Sequence, residues 1–205
     1  MPLIKIKDVA PDAKLGIWRI DESLEDLLNG LNGDASLDAL QGEIAGISSP
    51  QRRLEITAVR STIARLLGNG VTLSHNADGK PYLSNGMNIS ISHTKGYAAV
   101  IISGGKRVSI DIERIDRNVK RVAAKFIRAD ERASTQLDML LHWCAKETIY
   151  KLYSDDHLAL HDMRVSAISG DGHAGIIHTE NARRGETSGV FYRIFDGMVL
   201  TYAVL

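Results

Sequence analysis

Val108-Ser109-Ile110-Asp111-Ile112-Glu113 and Trp143-Cys144-Ala145-Lys146-Glu147-Thr148-Ile149-Tyr150-Lys151 are the two segments whose reading decides the fold. The first alternates apolar and polar residues and predicts a strand. Val108, Ile110 and Ile112 point to one face, and Ser109, Asp111 and Glu113 to the other. Asp111 and Glu113 then stand about 7 Å apart along the strand. Like charges so close repel unless a cation lies between them. The second segment has helical spacing, and Glu147 and Lys151, four apart, share one face. Three carboxylates beside an ammonium suit a magnesium ion that holds a phosphorylated substrate. Each segment alone has a plainer reading: a solvated strand face, and a helix-stabilising pair worth a few tenths of a kcal/mol.

Around these segments the chain reads as a mixture of helices and strands. Leu15–Ile20 predicts a strand. Asp21 is a candidate cap for a short helix through Leu24, Leu27 and Leu28 that stops at Gly30. Residues from Asp34 to Gly46 predict a second short helix. Ser49-Pro50 opens a longer one, with Ser as cap and Pro at its first position. Ile56, Val59, Ile63, Leu66 and Leu67 form its apolar stripe, and Gly68 ends it. Arg52, Arg53, Arg60 and Arg65 lie elsewhere on its surface.

Asn76–Pro81 predicts a turn. Met87–His93 and Tyr97–Ser103 predict a hairpin across Thr94-Lys95-Gly96. Gly104-Gly105 marks a seam, which divides the chain into residues 1–104 and 105–205. Tyr97–Ile102 and Val199–Val204 echo one another on either side of it. Beyond Glu113, seven basic residues face three acidic ones between Arg114 and Arg132. Val119, Val122, Ala123, Phe126 and Ile127 predict a helical stripe there, with Arg121, Lys125, Arg128 and Arg132 on another face. His161–Ala167 and Ala174–Thr179 predict strands, and Asn181–Ser188 a polar loop. Asp196-Gly197 between alternating segments predicts a two-residue hairpin turn.

The totals bound the function. The 205 residues suffice for a buried core, and 44% apolar with 24% charged is ordinary for a globular protein. The 25 basic and 25 acidic residues cancel, which argues against a general nucleic-acid or membrane binder. A single cysteine, Cys144, excludes an intrachain disulfide and a cysteine metal cluster. Neither a signal peptide nor a membrane span is read, so a cytoplasmic location is expected.

The two deciding segments resemble the paired V-G-I-D-I-E and W-x-x-K-E-[AS]-x-x-K signatures of the 4′-phosphopantetheinyl transferases. Gly79-Lys80-Pro81 and Asn88-Ile89-Ser90-Ile91-Ser92-His93-Thr94 resemble that family's G-K-P and N-I-S-H-S elements, in the same order. Ser109 departs from the family's usual glycine. The resemblance implies an α+β fold of two related α/β halves with pseudo-twofold symmetry, in a monomer, with the active site at the interface between halves. It implies magnesium, or alternatively manganese, on Asp111, Glu113 and Glu147, with Glu147 and Lys151 catalytic. It implies coenzyme A contacts from Lys80, Ser92, His93, Lys146 and Lys151, and from Arg53 and Arg60 of the Arg-bearing helix. The implied partner is an apo acyl or peptidyl carrier protein. Carrier proteins are generally acidic, so Arg121, Lys125 and Arg128 are the candidate docking residues. A metal-dependent nuclease and a non-catalytic coenzyme A or carrier binder are the alternatives. The nuclease reading lacks a basic stripe for DNA and has its lysine four residues after Glu147 on a helix.

Overall fold

A computed structural model describes residues 3–34 and 36–205, and of residues 3 and 4 the backbone alone. Ala35, which falls in the second predicted helix, lies outside the described residues. The chain divides into two compact units, Met1–Val108 and Ser109–Leu205.

The first unit is built on a sheet of four strands, β1 (Leu3–Ala10), β2 (Ala13–Arg19), β5 (Asn88–Thr94) and β6 (Tyr97–Ser103), in the order β1-β2-β6-β5. All its pairings are antiparallel. Thr94 pairs with Tyr97 across Lys95-Gly96, with Gly96 at a positive φ of 85°, as a tight two-residue turn demands. β1 extends the sheet beyond the strands read from sequence. A second hairpin, β3 (Leu73–His75) with β4 (Pro81–Leu83), is closed by the Asn76 side chain, which accepts from the backbone N–H of Asp78 and Lys80.

Three helices complete this unit: α1 (Leu24–Asn29), α2 (Leu37–Ala45) and α3 (Pro50–Leu67). Ser23, not Asp21, caps α1, through a capping box with Asp26. Asp21 instead pairs with Arg19. Helix α3 begins as the sequence predicts, with Ser49 accepting from the Arg52 N–H and Pro50 in the first turn. Ala58, Val59, Ile63 and Leu66 of α3 join Trp18, Ile89, Ala98, Val100 and Ile102 in one apolar core.

In the second unit a five-stranded sheet has the order β7-β11-β10-β9-β8. Its strands are β7 (Val108–Arg114), β8 (Met163–Gly170), β9 (Ala174–Asn181), β10 (Glu186–Phe195) and β11 (Met198–Val204). Helix α4 (Gln136–Leu152) packs against β11 and the strands beyond it, and a Thr135/Asp138 capping box fixes its start. Leu140, Leu141, Cys144, Ala145 and Ile149 meet Val165, Ile177, Val190, Val199 and Ala203 in the core. Asp196 and Gly197 both take positive φ, 47° and 72°, so the last hairpin turns on two left-handed residues. Gly175 lies opposite Tyr192, and a Cβ there would come within 2.7 Å of the Tyr192 ring and 1.9 Å of the Ser169 carbonyl oxygen.

Two expectations are corrected in this unit. Asn181–Ser188 is not a long loop: β9 runs to Asn181 and β10 starts at Glu186, so only a short turn separates them. The basic segment is not one α-helix either. A 3-10 helix spans Lys120–Lys125 alone. Tighter winding breaks the three-and-four spacing, so Phe126 is fully buried while Val122 is 38% exposed. Arg121 and Lys125 are exposed, but Arg128 lies beyond the helix, partly buried. It holds Asp130 and the His161 carbonyl. The continuous basic face expected for Arg121, Lys125 and Arg128 is therefore not formed on a single helix.

Candidate active site

Strand alternation and helix spacing place the charged residues of the second unit. Asp111 and Glu113 share the face of β7 that Ser109 also occupies. Asp111 is buried at 4% exposure, and its Oδ1 accepts from Lys151 Nζ at 2.8 Å. The same ammonium donates to the Ile110 carbonyl at 2.9 Å. One turn earlier on α4 stands Glu147, half-buried, and its carboxyl is held above the ordinary range by burial and then by the charge of Asp111. Glu113 is pushed up to about 7, first by burial and then by Asp111. Mutual repulsion among Asp111, Glu113 and Glu147 is thus only partly offset by the cations present.

Those cations are Lys151 and Arg117. Arg117 forms an ion pair with Glu113, four residues before it. Its guanidinium also lies over the Trp143 ring, 5.1 Å from the centroid. Trp143 in turn packs edge-on against Phe126, with centroids 5.2 Å apart. Position 143 is four before Glu147, so the indole and the carboxylate share one face of α4. Neither Arg117 nor this stacking was singled out in the sequence, where Arg117 is one of seven cations in a run.

Among the described residues, no three His, Cys, Asp or Glu side chains are already closed around a metal position. Glu113 is turned to Arg117 and Asp111 to Lys151. The donor set nevertheless fits a hard dication by its chemistry. It is all carboxylate oxygen, and two of its three carboxyls are raised in pKa by burial and by the neighbouring charge of Asp111.

Lys146 stands elsewhere. Its side chain is 1% exposed, and Nζ reaches Glu131 at 2.8 Å and the Phe126 carbonyl at 2.5 Å. Glu131 also accepts from the backbone N–H of Arg128 and of Val165. Burial lowers the Lys146 pKa, and Glu131 opposes that fall. Lys146, expected to contact coenzyme A, has its ammonium engaged inside the core, tying α4 to the preceding loop and to β8. Cys144 is fully buried, and its thiol is pushed well up by burial and then by Asp111, so it is not a nucleophile.

In the first unit, β5 and α3 bring a second group together. His93 Nδ1 lies 3.1 Å from Glu55 Oε2, and Arg52 contacts the same imidazole. Glu55 is 9% exposed and also accepts from Gln51. Ser92, the neighbour of His93, is buried. Arg53 and Arg60 are engaged otherwise. Arg53 donates through Nε to the Ile47 carbonyl. Arg60 joins the Leu73 carbonyl at 2.7 Å and Glu43 at 2.9 Å. The arginine that α3 brings to His93 is therefore Arg52, about 100° around the helix from Arg53. Lys80 is exposed on the β3–β4 turn.

Helix α4 and the edge strand β7 thus bring three carboxylates and two cations together, an all-oxygen donor set of the kind hard dications favour. Residues 107–203 match the model of the 4′-phosphopantetheinyl transferase superfamily. Its members are transferases that use coenzyme A, typically with a divalent metal, and act on carrier proteins. No curated protein matches the chain significantly. No helix among the described residues is long and apolar enough to cross a membrane.

Proposed function

We propose that the protein transfers the 4′-phosphopantetheine arm of coenzyme A to a serine of an apo acyl or peptidyl carrier protein, as a monomeric, cytoplasmic holo-carrier synthase. The observation that carries this reading is the convergence of Asp111, Glu113, Glu147 and Lys151 within the matched domain. The serine oxygen forms a bond to phosphorus as the pyrophosphate P–O bond breaks, and adenosine 3′,5′-bisphosphate leaves. Asp111, Glu113 and Glu147 would hold magnesium, or manganese, which when bound neutralises charge on the pyrophosphate.

Glu147 takes the serine proton, directly or through an intervening water. Lys151 donates to the departing phosphate from the position where it now holds Asp111. Ser92, His93 and Lys80 contact the nucleotide phosphates and adenine end, with Arg52 beside His93 as a further cation. The same reading takes the two units as related halves. Arg121 and Lys125, both exposed, meet the acidic carrier.

Chromatography of the reaction mixture tests this. Incubation with coenzyme A, magnesium and an apo carrier is expected to release adenosine 3′,5′-bisphosphate, and Glu147→Gln to suppress that release. Release at the wild-type rate from Glu147→Gln would remove Glu147 as the base.

A further inference from the structure

We infer that Arg117 is the resident counter-ion of the carboxylate site, occupying Glu113 until a divalent cation displaces it from that carboxylate while it stays over Trp143, and that it thereby sets the metal affinity. The inference rests on the metal-binding reading above.

Three observations meet at this side chain. Arg117 is ion-paired to Glu113, one of the three carboxylates. Its charge also reaches Glu147, which lies on another element. Its guanidinium is stacked over Trp143 at 5.1 Å, on the same face of α4 as Glu147. An exposed i,i+4 pair alone would be a modest helix- or strand-end contact. Here the strand end places the arginine against two carboxylates that share one other nearby cation, Lys151, and Lys151 is bound to Asp111 and the Ile110 carbonyl.

The competition follows from charge and geometry. A carboxylate oxygen that accepts from a guanidinium is not fully available to a metal, and a neighbouring positive charge repels an incoming dication. Trp143 gives the guanidinium a place to remain once Glu113 is taken. The ring face retains a cation at modest cost, and Phe126 braces the indole from its edge. Arg117 is 44% exposed, so its movement opens no core.

The test titrates metal alone. Free Mn2+ is measured by electron paramagnetic resonance during titration of wild type, Arg117→Ala and Arg117→Lys, without coenzyme A or carrier. Arg117→Ala is expected to bind Mn2+ about three- to tenfold more tightly, with Arg117→Lys between it and wild type. In a Trp18→Phe background, Mg2+ is expected to shift Trp143 emission in the Arg117 protein and to shift it less in Arg117→Ala. Equal or weaker Mn2+ binding by Arg117→Ala would overturn the inference while leaving the metal site intact. Absence of Mn2+ binding by all three proteins would sink both the inference and the metal-dependent reading.

Discussion

Lys151 Nζ sits 2.8 Å from Asp111 Oδ1 and 2.9 Å from the Ile110 carbonyl, so one ammonium joins α4 to the strand that carries two of the three carboxylates. Asp111 is buried, and its charge is the second cause of the raised pKa of both Glu113 and Glu147. Loss of the ammonium leaves that carboxylate poorly compensated. Lys151→Met is expected to lower kcat/KM for transfer by roughly 10²-fold, the scale of losing a charged donor at a leaving group. Steady-state kinetics on folded protein checks this. An unchanged kcat/KM would remove Lys151 from the chemistry.

Lys146 differs from Lys151 only by where the helix points it. The pair with Glu131 is enclosed, at 1% and 0% side-chain exposure. Lys146→Met leaves Glu131 buried without its cation and is expected to cost about 3–5 kcal/mol of stability. Urea denaturation measures the loss. A change below about 0.5 kcal/mol, the scale of a surface substitution, would show that the pair is solvated in solution.

Ser109 is fully buried, and its Oγ has no hydrogen-bond partner among the described residues. A buried hydroxyl left unpaired costs about 1–3 kcal/mol of desolvation. Ser109→Ala is therefore expected to be neutral or to stabilise by about 1 kcal/mol, against the usual sign for a core substitution. Thermal denaturation checks the sign. Marked destabilisation would mean that the hydroxyl is satisfied.

His142 is 1% exposed, with Nδ1 2.8 Å from the Asp138 carbonyl. The neutral ring donates there from Nδ1. Burial, the largest cause, holds its pKa below the ordinary 6.5. The unfolded chain therefore takes up a proton near pH 6.5 that the folded chain refuses until lower pH. The stability from neutral His142 is fully present above about pH 6.5 and is lost as pH falls from there through the folded-state value, by about 1.4 kcal/mol for each unit of depression. Denaturation at pH 7.5 and 5.5 is expected to show a larger loss for wild type than for His142→Gln. Equal losses would contradict this.

Local chemistry made much of the fold legible. Asp196-Gly197 announces the last hairpin because few other pairs accept two positive φ angles. Ser49-Pro50 announces α3 because both residues suit a first turn. The alternation of Val108–Glu113 places Ser109, Asp111 and Glu113 on one face. Long-range partners were not legible. Glu131, fifteen residues from Lys146, decides that this lysine faces inward. The resemblance singled out Arg53 and not its neighbour Arg52, yet packing of α3 on the sheet brings Arg52 to His93. The apolar spacing of 119–127 resembles an α-helix, but the segment winds as a 3-10 helix and splits its stripe between core and surface.

The central claim is transfer that depends on the Asp111, Glu113 and Glu147 carboxylates. Its most direct test is the intact mass of an apo carrier protein after incubation with the protein, coenzyme A and magnesium. The predicted result is a gain equal to one phosphopantetheine arm, abolished by EDTA and by Glu147→Ala. A gain that survives both, or no gain on any of several unrelated carriers while coenzyme A still binds, would contradict the account.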